Sequence, residues 1–360
     1  MLFGMDAQTV FTLFTSGDEP VADRSLSEIR RLGATFVRSP LNWQLIEPRP
    51  PLAGEHHYAF GSLDRWMTVL SRDRLRWQPI GIGSAPTWAL DPAALAAGCG
   101  PATPPRPRPY AAMMRALAER YGPGGSFWSA HPGLPYEPVT TYEVWNEPNL
   151  AAFWCPRPDP AAYARLYLGA HQAVHAADPE ATVLLGGLAP VTASEPQEAP
   201  TKMAVGDFLA RAIQEQPGLP DAVDAVAVHP YAPTPGAVLR TVVWFRKALS
   251  GAGLGVVPMS VNEFGWPTRG SEGPLAPVAE ATRARYIVAT TRDLAGSGCG
   301  LIGIAPHTWI SPQHGSLGGK WYGLASPLTG RPYPSARAYG RAVIGLERGA
   351  MAEVRGGCGG

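Results

Sequence analysis

Two kinds of hydrophobic pattern alternate along the chain. Short runs rich in Val, Ile and Leu are apolar at consecutive positions, and longer stretches between them repeat their apolar residues at helical spacing. Runs without polar alternation suit parallel strands covered by helices on both faces. In order, the first strand is expected at Val10–Thr15, then a helix around Ser25–Leu32 that stops at Gly33. Next come Thr35–Ser39 with a helix from about Leu63 to Ser71, and Trp77–Ile82 with a helix near Tyr110–Tyr121. Thr141–Trp145 pairs with Pro160–Ala177, and Thr182–Gly186 with Asp207–Gln214. Ala222–His229 pairs with Val238–Leu249, Val257–Asn262 with Glu280–Leu294, and Leu301–Ala305 with Ser335–Leu346.

These strand-then-helix units, with no convincing linker between them, predict an α/β protein: a single (β/α)8 TIM barrel over residues 1–360, with a flexible tail near 355–360. Such barrels typically need ~250 residues, so the surplus of about 100 belongs to long βα loops at the C-terminal face. Asp91–Pro109 and Gly122–Pro138 are the obvious insertions. A doubly wound open sheet is the structural rival. It would carry a Gly-rich turn after the first strand, where this chain has SGDEP.

Composition narrows the partners. A formal net charge of +1 with 16% charged residues argues against a nucleic-acid binder. No apolar run approaches the ~20 residues that span a bilayer. The opening MLFGMDAQTVFTLF lacks the charged and apolar regions of an export signal. The 41 Gly and 39 Pro are interleaved with 11 Trp, 12 Tyr and 10 Phe, which suits a folded chain with stiff aromatic loops. Only Lys202, Lys247 and Lys320 are lysines, and all other basic residues are arginines, a bias we assign to codon usage.

A barrel's chemistry sits where the strands end in the βα loops. Strand two ends in Arg38 and leads into Asn42-Trp43, and strand three runs to Pro86-Thr87-Trp88. Strand four ends VWNEPN (144–149), strand six VHPYA (228–232), strand seven VNEFGWPT (261–268) and strand eight APHTWI (305–310). Glu147 and Glu263 are therefore expected at opposite sides of one mouth, among Trp, Tyr, His and Asn. Carbohydrate chemistry needs this combination: rings stack on the C–H faces of sugars, while amides, imidazoles and guanidinium bind the hydroxyls.

At these residues the sequence resembles glycoside hydrolase clan A, most closely its bacterial family 39 and family 5 branch. YEVWNEPNLAAFW (142–154), GGLAP (186–190), AVAVHPYA (225–232) and NEFGWPT (262–268) carry the resemblance, which with the Arg38 segment covers essentially the whole chain. It implies Glu147 as general acid/base and Glu263 as nucleophile. Asn262 departs from the Thr that relatives often carry before the nucleophile. Retaining hydrolysis independently asks for two carboxyl groups ~5–5.5 Å apart, one protonated and one ionised. Arg38 is expected to keep Glu263 ionised, Tyr231 to hydrogen-bond it, and Asn146 to bind the hydroxyl beside the reacting carbon. His229 and His307 complete the polar set. Trp309 is expected to floor the sugar subsite, with Trp43, Trp88, Trp154 and Trp266 as further aromatic contacts.

No cofactor and no metal are expected. HQAVH carries His171 and His175 at i, i+4 but lacks the glutamate of a zincin motif and lies on an outer helix, so both are read as packing or solvent residues. His56-His57 is read likewise. The four cysteines show no metal-ligand spacing, but the barrel sorts them into two pairs: Cys99 with Cys155 at the catalytic face, and Cys299 with Cys358 at the opposite face. Disulfides there imply a secreted or periplasmic protein whose signal is absent from this chain, whereas unpaired cysteines imply a cytoplasmic one. The expectation is a monomeric retaining glycoside hydrolase acting on an oligo- or polysaccharide, endo-acting in view of Trp154 and Trp321. The alternatives are an exo-acting β-xylosidase-like glycosidase and a non-catalytic sugar-binding barrel. Sugar and linkage are left open.

Overall fold

Eight parallel strands close on themselves in sequence order. They are β1 (Leu2–Asp6), β2 (Phe36–Pro40), β3 (Arg76–Ile80), β4 (Thr141–Asn146), β5 (Thr182–Leu188), β6 (Ala225–Val228), β7 (Met259–Val261) and β8 (Leu301–Ile304). β1 closes the ring by pairing Leu2 with Gly303 and Phe3 with Ile304 on β8. This is a computed structural model, and it describes residues 1–81, 84–194, 200–270, 275–313, 321–349 and 356–358. Of the expected tail, only 356–358 falls within them, and Ile82, the end of the third expected strand, falls outside.

Seven of the eight expected strands form where the pattern placed them, to within a few residues. The first does not. Val10–Thr15 belongs to a helix, Gln8–Ser16, and the strand is the preceding LFGMD. Val10, Phe11 and Phe14 are buried with helical spacing on one face of that helix. Gly4 interrupts the apolar run of the true strand for a steric reason, because a Cβ there would run into the ring of Phe36.

The strands are buried on both faces, as their composition requires. Outside the barrel, strand side chains such as Val144, Val183 and Leu185 join one continuous core with the surrounding helices. Inside it lie a small apolar layer of Leu184, Ala225 and Ala227 and, above that, polar side chains. The Asp91–Pro109 insertion folds as the short helix Pro92–Ala96 between single turns. Cys99 bonds to Cys155, tying the β3 loop to the β4 loop, and Cys299 bonds to Cys358, tying the entry of β8 to the chain after the last helix. Both expected pairings are present. No helix among the described residues is long and apolar enough to cross a membrane.

Candidate active site

The site is built on an inversion of strand parity in β4. Alternation along an extended strand would turn Glu143 and Trp145 to the barrel axis and Asn146 away from it. Trp145 instead adopts φ +70°, a left-handed conformation that costs a bulky residue of order 1–3 kcal/mol. Its ring therefore leaves the axis, packs on Trp154 and donates through Nε1 to the Phe153 carbonyl. Asn146 takes the inward place above Glu143, and Glu147, itself at φ +42°, reaches the mouth. Asn149, the last residue of WNEPN, fixes this loop by donating to the Ala189 and Met203 carbonyls and accepting from the Ala189 N–H.

Arg38 stands at the centre. Its Nε and Nη2 donate to the two oxygens of Glu143 at 2.6 and 2.9 Å, Nη2 also to Asn146 Oδ1 at 2.8 Å, and Nη1 to Glu263 Oε1 at 2.6 Å. Only the planar fork of an arginine can span these directions at once. Glu143 is fully buried and satisfied on all sides, accepting further bonds from Asn262 Nδ2 at 2.7 Å, Gln78 Nε2 at 3.2 Å and the Gly187 N–H at 3.3 Å. A buried carboxylate with this many donors anchors the arginine.

Glu263 also accepts from the Tyr231 hydroxyl at 2.9 Å. His229 Nδ1 lies 2.8 Å from Glu147 Oε1 and 3.6 Å from Glu263 Oε2. The His229 ring is wholly buried, and its Nε2 lies over Gly187, where a Cβ would occupy the same space. His307, at the end of β8, holds Asp6 Oδ2 at 2.5 Å through Nδ1 and stands 3.9 Å from Glu263. Burial on its own would raise the Glu263 carboxyl. His229, Arg38, His307 and the Tyr231 hydroxyl outweigh it and hold that carboxyl well below the ordinary carboxylate range. For His229 and His307 burial works the other way, and the surrounding carboxylates, Glu263 foremost, leave both imidazoles raised.

The structure thus brings together Arg38, Asn146, Glu147, His229, Tyr231, Glu263 and His307. It does not bring the tryptophans with them. Trp309, expected as a floor, is completely buried, and Trp43, Trp154 and Trp266 are buried as well. Trp43 donates to Glu47 and Trp266 to the Ala232 carbonyl, so the indoles are spent on packing. Among the aromatics expected to contact sugar, Trp88 keeps a half-buried ring, set edge-on against Trp43. Two site residues, Asp6 and Glu143, carry no role in the sequence, and a third, Asn262, stands out there only as a departure beside the nucleophile rather than as the donor to Glu143 that it is. Asp6 was hidden because it ends the true first strand, which lies just before the apolar run expected to form it. Glu143 was hidden because more conspicuous motif residues follow it at the end of the same strand. Its one signal was a polar side chain inside an otherwise apolar strand.

The chain is thus a closed eight-stranded parallel barrel with Glu147 and Glu263 close together at its C-terminal mouth. No protein-family model matches the chain, and no curated protein matches its sequence. Solved structures do match. A monomeric β-xylosidase from Caulobacter crescentus is 21% identical with a TM-score of 0.65, over 94% of this chain and 66% of that one. GH5_18 from Streptomyces cattleya, in complex with GlcNAc, is 17% identical with a TM-score of 0.66, over 98% and 82%. A fungal β-1,4-galactanase is 15% identical with a TM-score of 0.60, over 95% and 99%. This chain spans just under two thirds of the xylosidase's length. At these identities the likeness establishes the fold.

Proposed function

We propose that the protein is a retaining glycoside hydrolase acting on a β-linked glycan or glycoside by double displacement. The observation that carries this reading is the spacing of the carboxylates. An oxygen of Glu147, an oxygen of Glu263 and a nitrogen of His229 all lie within 4.8 Å of one another. Retaining enzymes place their carboxyl groups ~5–5.5 Å apart, whereas inverting ones leave ~6.5–9.5 Å for a water.

The two glutamates divide the work by their surroundings. Glu263, kept ionised against Arg38 and Tyr231, attacks the anomeric carbon from the α face. Glu147 delivers its proton to the glycosidic oxygen, the bond from the anomeric carbon to that oxygen breaks, and an ester forms on Glu263. Glu147, now a carboxylate, takes a proton from water, whose oxygen attacks from the β face and breaks the ester. His229 orients Glu147 through Nδ1. Asn146, with Oδ1 held by Arg38, turns its Nδ2 donors to the 2-hydroxyl, a contact that strengthens in the transition state. His307 offers Nε2 to a neighbouring hydroxyl, and Trp88 provides a stacking face.

Endo action rests on aromatic subsites away from the centre. Trp154 is buried and no longer supports it, which leaves the half-buried Trp88 and Trp321. Exo action remains the alternative, distinguished by a monosaccharide as sole product. The disulfides fit a secreted or periplasmic protein, and we take it to act as a monomer. Proton NMR of the first-formed sugar from an aryl β-glycoside tests the stereochemistry. The β-anomer should appear before mutarotation, and the α-anomer appearing first would rule the mechanism out.

A further inference from the structure

At the face of the barrel opposite the mouth, the fold brings Asp224 to the His171–His175 pair, giving three metal-ligand side chains in one place. His171 and His175 lie one turn apart on the helix Pro160–Ala177, with their rings stacked 4.1 Å apart. Asp224 immediately precedes β6 and reaches both of them. Its Oδ2 is 2.9 Å from His175 Nε2 and its Oδ1 is 3.4 Å from His171 Nε2. The Val183 N–H of β5 donates to Oδ2 at 2.8 Å and fixes the carboxylate in place.

We propose that His171, His175 and Asp224 form a binding site for a divalent transition-metal ion, Zn2+ foremost, separate from the catalytic mouth. The donor set of two imidazole nitrogens and one carboxylate suits a borderline cation such as zinc. Its geometry fits as well. The ligand atoms all lie within 4.8 Å of one another, and tetrahedral zinc with bonds of ~2.0–2.1 Å sets its ligand atoms about 3.3–3.4 Å apart. The 3.4 Å gap between His171 and Asp224 already has this value and is long for a direct hydrogen bond. The three side chains are 18%, 27% and 26% exposed, so an ion can enter and keep a water as its fourth ligand.

Charge favours this cluster over the two other three-residue groupings of histidine and carboxylate among the described residues. Both of those contain Glu263, which Arg38 already neutralises at 2.6 Å and where a second cation would meet an arginine. Among the described residues, Asp224 is ion-paired only with the two histidines. An ion held here would clamp the helix Pro160–Ala177 to the entries of β5 and β6.

Titration of the whole protein with Zn2+, and with Co2+ as a spectroscopic probe, tests the site. Isothermal calorimetry should give one ion per chain with micromolar affinity. At a hundredfold excess over Kd, bound zinc should raise the melting temperature by about 3–4 °C. His171→Ala and His175→Ala should each weaken binding at least tenfold while leaving glycoside turnover unchanged. X-ray absorption of the zinc-loaded wild-type protein should count two imidazoles and light oxygen ligands, a readout that does not require the variants to fold. The absence of saturable binding below millimolar zinc, affinity unchanged in the protein carrying both His171→Ala and His175→Ala, or a ligand count without two imidazoles would each overturn the assignment.

Discussion

Arg38 satisfies Glu143, Asn146 and Glu263 at once, so its geometry and its charge can be separated by mutation. Arg38→Lys keeps a cation but loses the fork. It should reduce kcat/KM by about a hundredfold, in the range seen when one fixed electrostatic donor is lost. It should also move the acid limb of the pH profile upward, because Glu263 loses its 2.6 Å partner. A variant with lower activity but an unmoved acid limb would mean that Arg38 only supports packing. At this scale the sequence was informative where a residue sits in a recognisable motif at a strand end. A glutamate after WN at a strand end and a tyrosine two residues beyond a histidine stood out through their motifs and the resemblance these carry, and both lie beside Glu263. Tryptophan has two uses, packing and stacking, and order does not distinguish them. Only burial separates Trp88 from Trp309.

The elements show why the barrel could be read and its first strand could not. Parallel strands are apolar on both faces, so a short apolar run followed by a helical period is a dependable unit. Near the N-terminus two apolar runs adjoin, LFGM and VFTLF, and the longer one belongs to the helix. The parity inversion at Trp145 was equally hidden, because nothing in the residue order marks a left-handed tryptophan. Topology did sort the cysteines, since loops at the same end of a barrel are the ones that can be bridged. Each bond closes a long loop, with partners 56 and 59 residues apart. Loops of that length are worth roughly 2–4 kcal/mol of stability each. Thiol titration of the denatured protein should find none before reduction and four after it. Cys99→Ser with Cys155→Ser should lower the melting temperature by several degrees. Four thiols before reduction, or an unchanged melting temperature, would contradict the bridge.

Across the whole molecule, charge is nearly balanced at +1, and a small cluster of opposite charges lies at the mouth. Asp6, Glu143, Glu147 and Glu263 surround Arg38, His229 and His307 there. Folding depresses Glu263, so its contribution to stability is complete above about pH 4.3 and is lost only as pH falls through its lower folded value. The histidines behave in the opposite sense. Their raised values contribute fully below about pH 6.5, and that contribution is lost as pH rises through the folded values. Melting temperature should therefore decline from about pH 6.5 upward, and His307→Asn should flatten the decline. A wild-type melting temperature flat across that window, or a slope unaltered by the substitution, would show that the histidines are not linked to folding.

The division of labour between Glu263 and Glu147 is the central claim, and azide trapping tests it most directly. With an activated aryl β-glycoside, Glu263→Gly should be inactive until azide takes the place of the missing nucleophile, giving the α-glycosyl azide. Glu147→Ala should still form the ester on Glu263, and azide should then open it to the β-glycosyl azide. An α product from the first variant and a β product from the second are what this account predicts. The reverse pairing, or undiminished hydrolysis by the Glu263→Gly protein without azide, would contradict it.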